Sequence, residues 1–259
     1  MRELWIGDRR IADDEPCYVI AEIGHNHGGS VDTARKLIHA AASCGVDAVK
    51  FQKRDIERCY TPELLAQPYE NPHSFGATYG AHRRALEFGT QEFEAVDVAA
   101  RAVDLPWFAT PFDEASADFL RAFNPPAFKM ASAGLTDGPL LSHVASFRLP
   151  ILLSTGGSEA RDIDRAIIRI TDTHTKLAIL HCTAAYPVLD HAEHNLRCIE
   201  TMRTRYPQLV IGWSGHDSGI AMALVAYTLG ARIIEQHVTL NRASKGTDHA
   251  YALEPVGLR

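Results

Sequence analysis

The sequence predicts an α/β chain folded as a (β/α)8 TIM barrel, on three observations. Short apolar runs rich in β-branched residues recur eight times, amphipathic stretches of helical length separate most of them, and 259 residues is a length that one such barrel commonly uses. The runs are YVIAEI (18–23), VDAVKFQ (46–52), WFATPF (107–112), AFKMAS (127–132), PILLST (150–155), LAILHC (177–182), LVIGWS (209–214) and RIIEQHV (232–238). Apolar on both faces and bounded by turn residues, they fit buried parallel strands better than half-solvated antiparallel ones.

The clearest intervening helix runs from Ser30 to Cys44. There Val31, Ala34, Leu37, Ile38, Ala41 and Ala42 form a stripe of period 3.6, Ser30 can cap the start and Gly45 can end it. Similar stripes cover residues 91–103, 114–123, 160–170 and 218–229. An open doubly wound sheet is the rival fold, but no GxGxxG turn follows the first strand and the units are nearly evenly distributed. We therefore expect one catalytic domain over 1–259, with a short lead-in at 1–17. Residues 54–89 are too long for a simple connection and read as a lid over the catalytic mouth. The helix that should close the barrel after strand eight is not evident by residue 259.

Composition narrows the function. A net charge of −6 provides no global basic field for nucleic acid or an anionic membrane, so any anionic ligand must be met by local cations. No apolar run approaches the ~18 residues that span a bilayer, and the start lacks a signal-peptide core. The expectation is a soluble, cytoplasmic protein. Five scattered cysteines without a CxxC pair signal neither a disulfide framework nor a structural zinc site.

In such a barrel, chemistry is built from the C-terminal ends of the strands. Those positions hold Glu22, Asn26 and His27; Lys50 and Gln52; Thr110 and Asp113; Lys129 and Ser132; Ser154 to Ser158; His181 and Tyr186; Ser214, His216 and Asp217; and His237, Asp248 and His249. Each alone has an ordinary structural reading, but they converge on one rim. Lys50 and Lys129 lie inside apolar strands, where an ammonium needs an anion, and a phosphate or carboxylate ligand is the natural partner. Removing either lysine could then even stabilise the ligand-free fold. The turn STGGS (154–158) offers hydroxyls and unobstructed backbone N–H groups suited to phosphate. His216 and His237, at the ends of neighbouring strands, can jointly hold a divalent cation with water and substrate oxygens. His25-Asn26-His27 hints at a metal-dependent amidohydrolase, but Ser154 and His237 stand where that class uses histidine and aspartate.

The motifs AEIGHNHGG (21–29), DAVKFQ (47–52), ATPFD (109–113), FKMAS (128–132), LSTGGS (153–158), LHCTAAYP (180–187), GWSGHDSGI (212–220), IEQHVTLNR (234–242) and GTDHAYALEP (246–255) are co-linear. Together they resemble the sialic acid (N-acetylneuraminate) synthase family. That resemblance implies a transferase that condenses phosphoenolpyruvate with an aldose, releasing phosphate by C–O cleavage and giving a nonulosonic or related 2-keto-3-deoxy sugar acid. It implies that Lys50, Thr110, Lys129, Ser132, Ser154 and Ser214 contact phosphoenolpyruvate, and that Glu22 is the acid–base carboxylate. By the same resemblance Gln52, Tyr186 and Asp248 hold the sugar, while His216 and His237 ligate manganese or magnesium and share the catalytic role with Glu22.

The family's partners are small molecules, with neither nucleic acid nor membrane, and a homodimer is expected. An antifreeze-like second domain, frequent in the family, is not found in this sequence. Three departures fall on the sugar side: Ala133-Gly134 where KIASGE carries a glutamate, Gly215 for the aspartate of SDHT, and Gln236 for the lysine of EKHF. They predict an acceptor other than N-acetylmannosamine, covered by tyrosines and histidines of the 54–89 excursion. A Schiff-base aldolase using Lys50 or Lys129, and a barrel that binds a phosphorylated ligand without turnover, are the alternatives.

Overall fold

The computed structural model describes residues 2–174 and 176–259. Two strands, β1 (Glu3–Ile6) and β2 (Arg9–Ala12), pair antiparallel around a tight turn at Gly7, whose φ of 56° is costly for any residue with a Cβ. Within the lead-in expected at 1–17, Glu3–Ala12 thus form a hairpin. Leu4 and Ile6 alternate with the exposed Glu3 and Trp5, and with Ile11 they press into the same apolar cluster as Tyr18, Ile20, Phe108, Leu152 and Leu180.

The barrel strands follow in order: β3 (Tyr18–Gly24), β4 (Ala48–Lys53), β5 (Trp107–Pro111), β6 (Phe128–Met130), β7 (Ile151–Ser154), β8 (Leu177–Cys182), β9 (Val210–Gly215) and β10 (Ile233–His237). Each coincides with one of the eight apolar runs. All pair in parallel, in the spatial order β5-β4-β3-β10-β9-β8-β7-β6, and β5 lies beside β6 so that the barrel is nearly closed.

The helices are α1 (Val31–Cys44), α2 (Ile56–Cys59), α3 (Pro62–Ala66), α4 (Tyr79–Leu86), α5 (Thr90–Ala102), α6 (Glu114–Arg121), α7 (Gly138–Ser146), α8 (Ala160–Thr171), α9 (Cys198–Arg205), α10 (Ala221–Thr228) and α11 (Pro255–Leu258). In α1 the Ser30 hydroxyl accepts from the Thr33 N–H and Gly45 closes the helix at φ 80°. The 54–89 segment folds into α2, α3 and α4 with their connections. After β10, Val238 bridges Leu253, and α11 rests on α1 with Cys44 Sγ 3.3 Å from the Pro255 carbonyl oxygen.

Strand parity positions the site. Successive side chains of a strand point to opposite faces, so every second residue enters the barrel. Ile20, Ala48, Phe108, Ala127, Leu152, Leu180, Val210 and Ile233 form an apolar inner layer. Two residues further along each strand come Glu22, Lys50, Thr110, Lys129, Ser154, Cys182, Gly212 and Glu235. The intervening residues, among them Val49, Phe51, Met130, Ile179 and Trp213, pack outward in the main core. One period of two thus sets a polar layer above an apolar plug.

Candidate active site

All twelve residues singled out from the sequence, Glu22, Lys50, Gln52, Thr110, Lys129, Ser132, Ser154, Tyr186, Ser214, His216, His237 and Asp248, line one cavity of about 260 Å³ at the strand C-termini. Register explains much of the geometry, since His237 pairs with Glu22 and Glu22 with Lys50 across neighbouring strands. Lys50 Nζ lies 2.8 Å from Glu22 Oε2 and donates to Thr110 Oγ1 at 2.9 Å. Lys129 Nζ donates to Ser154 Oγ at 2.6 Å. Glu235 stands between the lysines, 3.7 Å from Lys129 and 3.9 Å from Lys50, and accepts the Ser214 hydroxyl at 2.9 Å.

Charge is therefore balanced inside the protein at this level. Burial pulls the Lys129 ammonium below its ordinary pKa, with Glu235 opposing. Burial alone would raise Glu235, but Lys129, Lys50 and the Ser214 hydroxyl together hold it below the usual carboxylate range. The expectation that an external anion must compensate the lysines is corrected: Glu22 and Glu235 already do so. Glu235 is the residue that the sequence reading passed over, although it shares a strand face with Ile233 and His237.

At the opposite wall His216 and His237 have ring centroids 5.6 Å apart, and Tyr186 lies 4.2 Å from the His216 ring. Burial, then the neighbouring His237, lowers the His216 pKa to about 4, which keeps its imidazole neutral. His216 Nδ1 lies 3.1 Å from the Thr183 carbonyl, an arrangement that puts the proton on Nδ1 and leaves Nε2 a free lone pair. His237 Nδ1 is buried without a hydrogen-bond partner, 3.7 Å from Asp248 Oδ2. Burial would raise the Asp248 pKa, but His237 with the Thr247 and Tyr251 hydroxyls brings it below normal. The His216 and His237 imidazoles with an adjacent carboxylate fit a divalent cation that takes its other ligands from water and substrate. Among the described residues no group of three His, Cys, Asp or Glu side chains forms a complete metal site.

Other rim residues serve the scaffold. His27 stacks on Phe88 at 3.9 Å and its Nδ1 accepts the Gly29 N–H. Asn26 bonds the Val238 carbonyl, His181 the His194 carbonyl and His249 the Thr239 hydroxyl, while Asp113 caps α6. The amidohydrolase reading fails on the same geometry, because His27, stacked on Phe88 with its Nδ1 engaged, does not line the cavity that His25 enters. Of the 154–158 turn only Ser154 lines the cavity; the Gly156 N–H is bound to Ser132 Oγ.

The excursion also differs from expectation. Tyr60 and Tyr69 each pack edge-to-face against Tyr79, and it is Arg54 and Arg83 that line the cavity. The substituted positions have local causes. A side chain at Gly215 would collide with the Trp213 indole, and Gln236 bonds Asp217 Oδ1 at 3.1 Å. A Cβ at Gly134 would face Met130 and Leu140, whereas Ala133 lines the cavity.

A (β/α)8 barrel carrying this constellation at its strand ends is an enzyme that handles anionic small molecules. The chain belongs to the NeuB family, whose model matches residues 37–259. It is 36% identical over 251 residues to N-acetylneuraminate-9-phosphate synthase of Mus musculus, covering 97% of this chain and 68% of that protein. It is 31% identical over 245 residues to N,N'-diacetyllegionaminic acid synthase of Legionella pneumophila, covering 92% and 68% respectively. A crystal structure of N-acetylneuraminic acid synthetase from Leptospira borgpetersenii in complex with citrate superposes with a TM-score of 0.88 at 31% identity, over 99% of this chain and 85% of that one. The expected sugar-acid synthase class agrees with these relatives.

Proposed function

We propose that this chain condenses phosphoenolpyruvate with an aldose to give a nonulosonic acid, with a divalent cation bound by His216 and His237. The carrying observation is the lysine layer: two buried ammonium groups beside the hydroxyls of Thr110, Ser132, Ser154 and Ser214, in one cavity with Glu22 and the two imidazoles. The names of the relatives support the reaction class.

In this reading Lys50 and Lys129 bind the phosphate and carboxylate of phosphoenolpyruvate, exchanging part of their contact with Glu22 and Glu235 for the ligand. Held there, C3 of the enol attacks the aldehyde carbon, forming the C–C bond, and the former carbonyl oxygen takes up a proton. The electron-poor C2 then accepts water. Glu22, oriented by Lys50 and by Gln52 Nε2 at 2.8 Å, takes the water's proton. The C2–O bond breaks, phosphate leaves, and the 2-keto acid remains. A bound divalent cation would supply polarisation of the aldehyde oxygen.

The test is phosphoenolpyruvate consumption and phosphate release across a panel of aldoses, after chelation and after return of manganese or magnesium. Turnover that requires the cation, and that falls by most of its value in His216→Ala and His237→Ala while their melting temperatures hold, is the expected outcome. Activity that survives chelation together with a borohydride-trapped lysine adduct would replace this mechanism with a Schiff-base aldolase. No turnover across the panel would leave a ligand-binding barrel.

A further inference from the structure

The reaction proposed above makes no use of Tyr251, a large side chain that is 2% exposed and sits behind the cavity wall. Its ring packs nearly edge-on against both imidazoles, with centroids 5.3 Å from His237 at an interplanar angle of 70° and 6.0 Å from His216 at 86°. Since the two imidazoles are themselves 5.6 Å apart, the three rings stand at the corners of a nearly equilateral triangle. Tyr186 covers a further side of the His216 ring at 4.2 Å. Edge-to-face contact between rings depends on direction, so it resists rotation of either partner in a way that an aliphatic neighbour does not.

The segment that carries Tyr251 is fixed to the end of β10. The Leu253 N–H donates to the His237 carbonyl at 2.8 Å, the Thr239 N–H to the Leu253 carbonyl at 2.9 Å, and the Ala252 N–H closes a turn onto the His249 carbonyl at 3.2 Å. The Tyr251 hydroxyl is buried without a hydrogen bond of good geometry, and it adds to the interactions that keep the neighbouring Asp248 ionised. Asp248 Oδ2 in turn lies 3.7 Å from His237 Nδ1, while the Thr183 carbonyl lies 3.1 Å from His216 Nδ1. Each imidazole is therefore held at Nδ1 by an oxygen and along its ring by Tyr251. A buried hydroxyl is costly where only apolar filling is needed, so its placement beside Asp248 points to a role.

We infer that Tyr251 is a positioning residue for metal binding: its ring fixes the angle between the His216 and His237 imidazoles, and its hydroxyl steadies Asp248 against His237. This rests on the divalent cation proposed above. Two imidazoles share one ion only when both lone pairs are aimed at the same point, and partners behind the ligands set that aim. With so few protein ligands in the pair, misdirection of either ring costs a large share of the binding.

Manganese titrated into the full chain without substrates tests it, the unbound ion being read by electron paramagnetic resonance. The wild type should bind manganese at a site that His237→Ala abolishes. Tyr251→Leu, which removes ring and hydroxyl, should weaken that binding by about 10–100-fold, the scale for losing a partner behind a metal ligand. Tyr251→Phe, which keeps the ring, should weaken it by only about 2–10-fold, the worth of one hydrogen bond. At saturating manganese the KM for phosphoenolpyruvate should hold in both variants, because the lysine layer binds that substrate. Wild-type manganese affinity in both variants overturns the positioning role while leaving the cation in place, whatever happens to their melting temperatures. Should Tyr251→Leu fail to fold, unchanged affinity in Tyr251→Phe is enough to overturn it. A wild type that binds no manganese sinks the cation and the positioning role together.

Discussion

The two ends of the cavity are both cationic but are built differently. The inner end is made by strands: Lys50 and Lys129 arrive on the inward face of β4 and β6, and Glu22 and Glu235 arrive at matching depth on β3 and β10. Its charges are balanced before any ligand enters. The outer end is made by the connection after β4, where Arg54 and Arg83 rest on aromatic rings and lack a carboxylate within ion-pair distance among the described residues. A strand-built layer can therefore be stable and preorganised when empty, whereas a loop-built end can carry charge without a carboxylate partner.

The sharpest way to break that contrast is kinetic. Lys129→Met should lower kcat/KM for phosphoenolpyruvate by on the order of 10²–10³, the range found when one preorganised donor to developing charge is removed. Arg83→Met should change the same constant by less. If steady-state measurements find the larger phosphoenolpyruvate defect in Arg83→Met, the two ends have been assigned the wrong way round.

Much of the inner end was legible in the sequence because parallel strands obey a period of two. Once Ile20, Ala48 and Ile233 are recognised as plugging the barrel, the residues two places on must face the same interior. Glu235 was legible by that rule, since it lies midway between Ile233 and His237, but attention fell on its neighbour Gln236, which instead braces Asp217. The hairpin at Gly7 was also available, as alternating Leu4 and Ile6 before a Gly-Asp turn. Arg54 and Arg83 were not legible. Their direction depends on how three short helices fold back over the mouth, and periodicity within a segment says nothing of that path.

A second comparison concerns stability without ligand. The sequence alone suggested that deleting a buried lysine could stabilise the empty fold; the Glu22 contact reverses that sign for Lys50. Lys50→Met would leave Glu22 buried beside a methionine, and breaking a buried pair from one side costs about 3–5 kcal/mol. Adding Glu22→Gln should recover much of it, giving a double variant less destabilised than the sum of the singles. Arg83→Met removes a cation without a carboxylate partner among the described residues and forfeits its stacking on tyrosine and its Nε bond to the Tyr79 hydroxyl, so its change should stay within about 1–2 kcal/mol. Denaturant unfolding of the apo proteins checks all three, and equal losses in Lys50→Met and Arg83→Met would dissolve the distinction.

An effect smaller than the Lys50 loss lies in the turn that joins the two ends, between Glu22 and α1. His27 is buried against Phe88, and burial lowers its pKa from the ordinary 6.5 to about 3. Its folded form stays neutral where the unfolded chain takes up a proton, so the unfolded state binds more protons between those two values. Stability is therefore full above about pH 6.5 and declines as pH falls toward 3, at about 1.4 kcal/mol per pH unit, or about 2 kcal/mol by pH 5. His25 and His181, also lowered chiefly by burial, tilt stability the same way. His27→Phe keeps a ring against Phe88 but removes the titrating group and the acceptor for Gly29. It should be less stable than wild type near pH 7.5 yet lose about 2 kcal/mol less on going to pH 5. Unfolding free energies at the two pH values decide the matter: an unchanged difference between them in His27→Phe would mean that acid acts elsewhere, with the carboxylates of the inner end the next groups to examine.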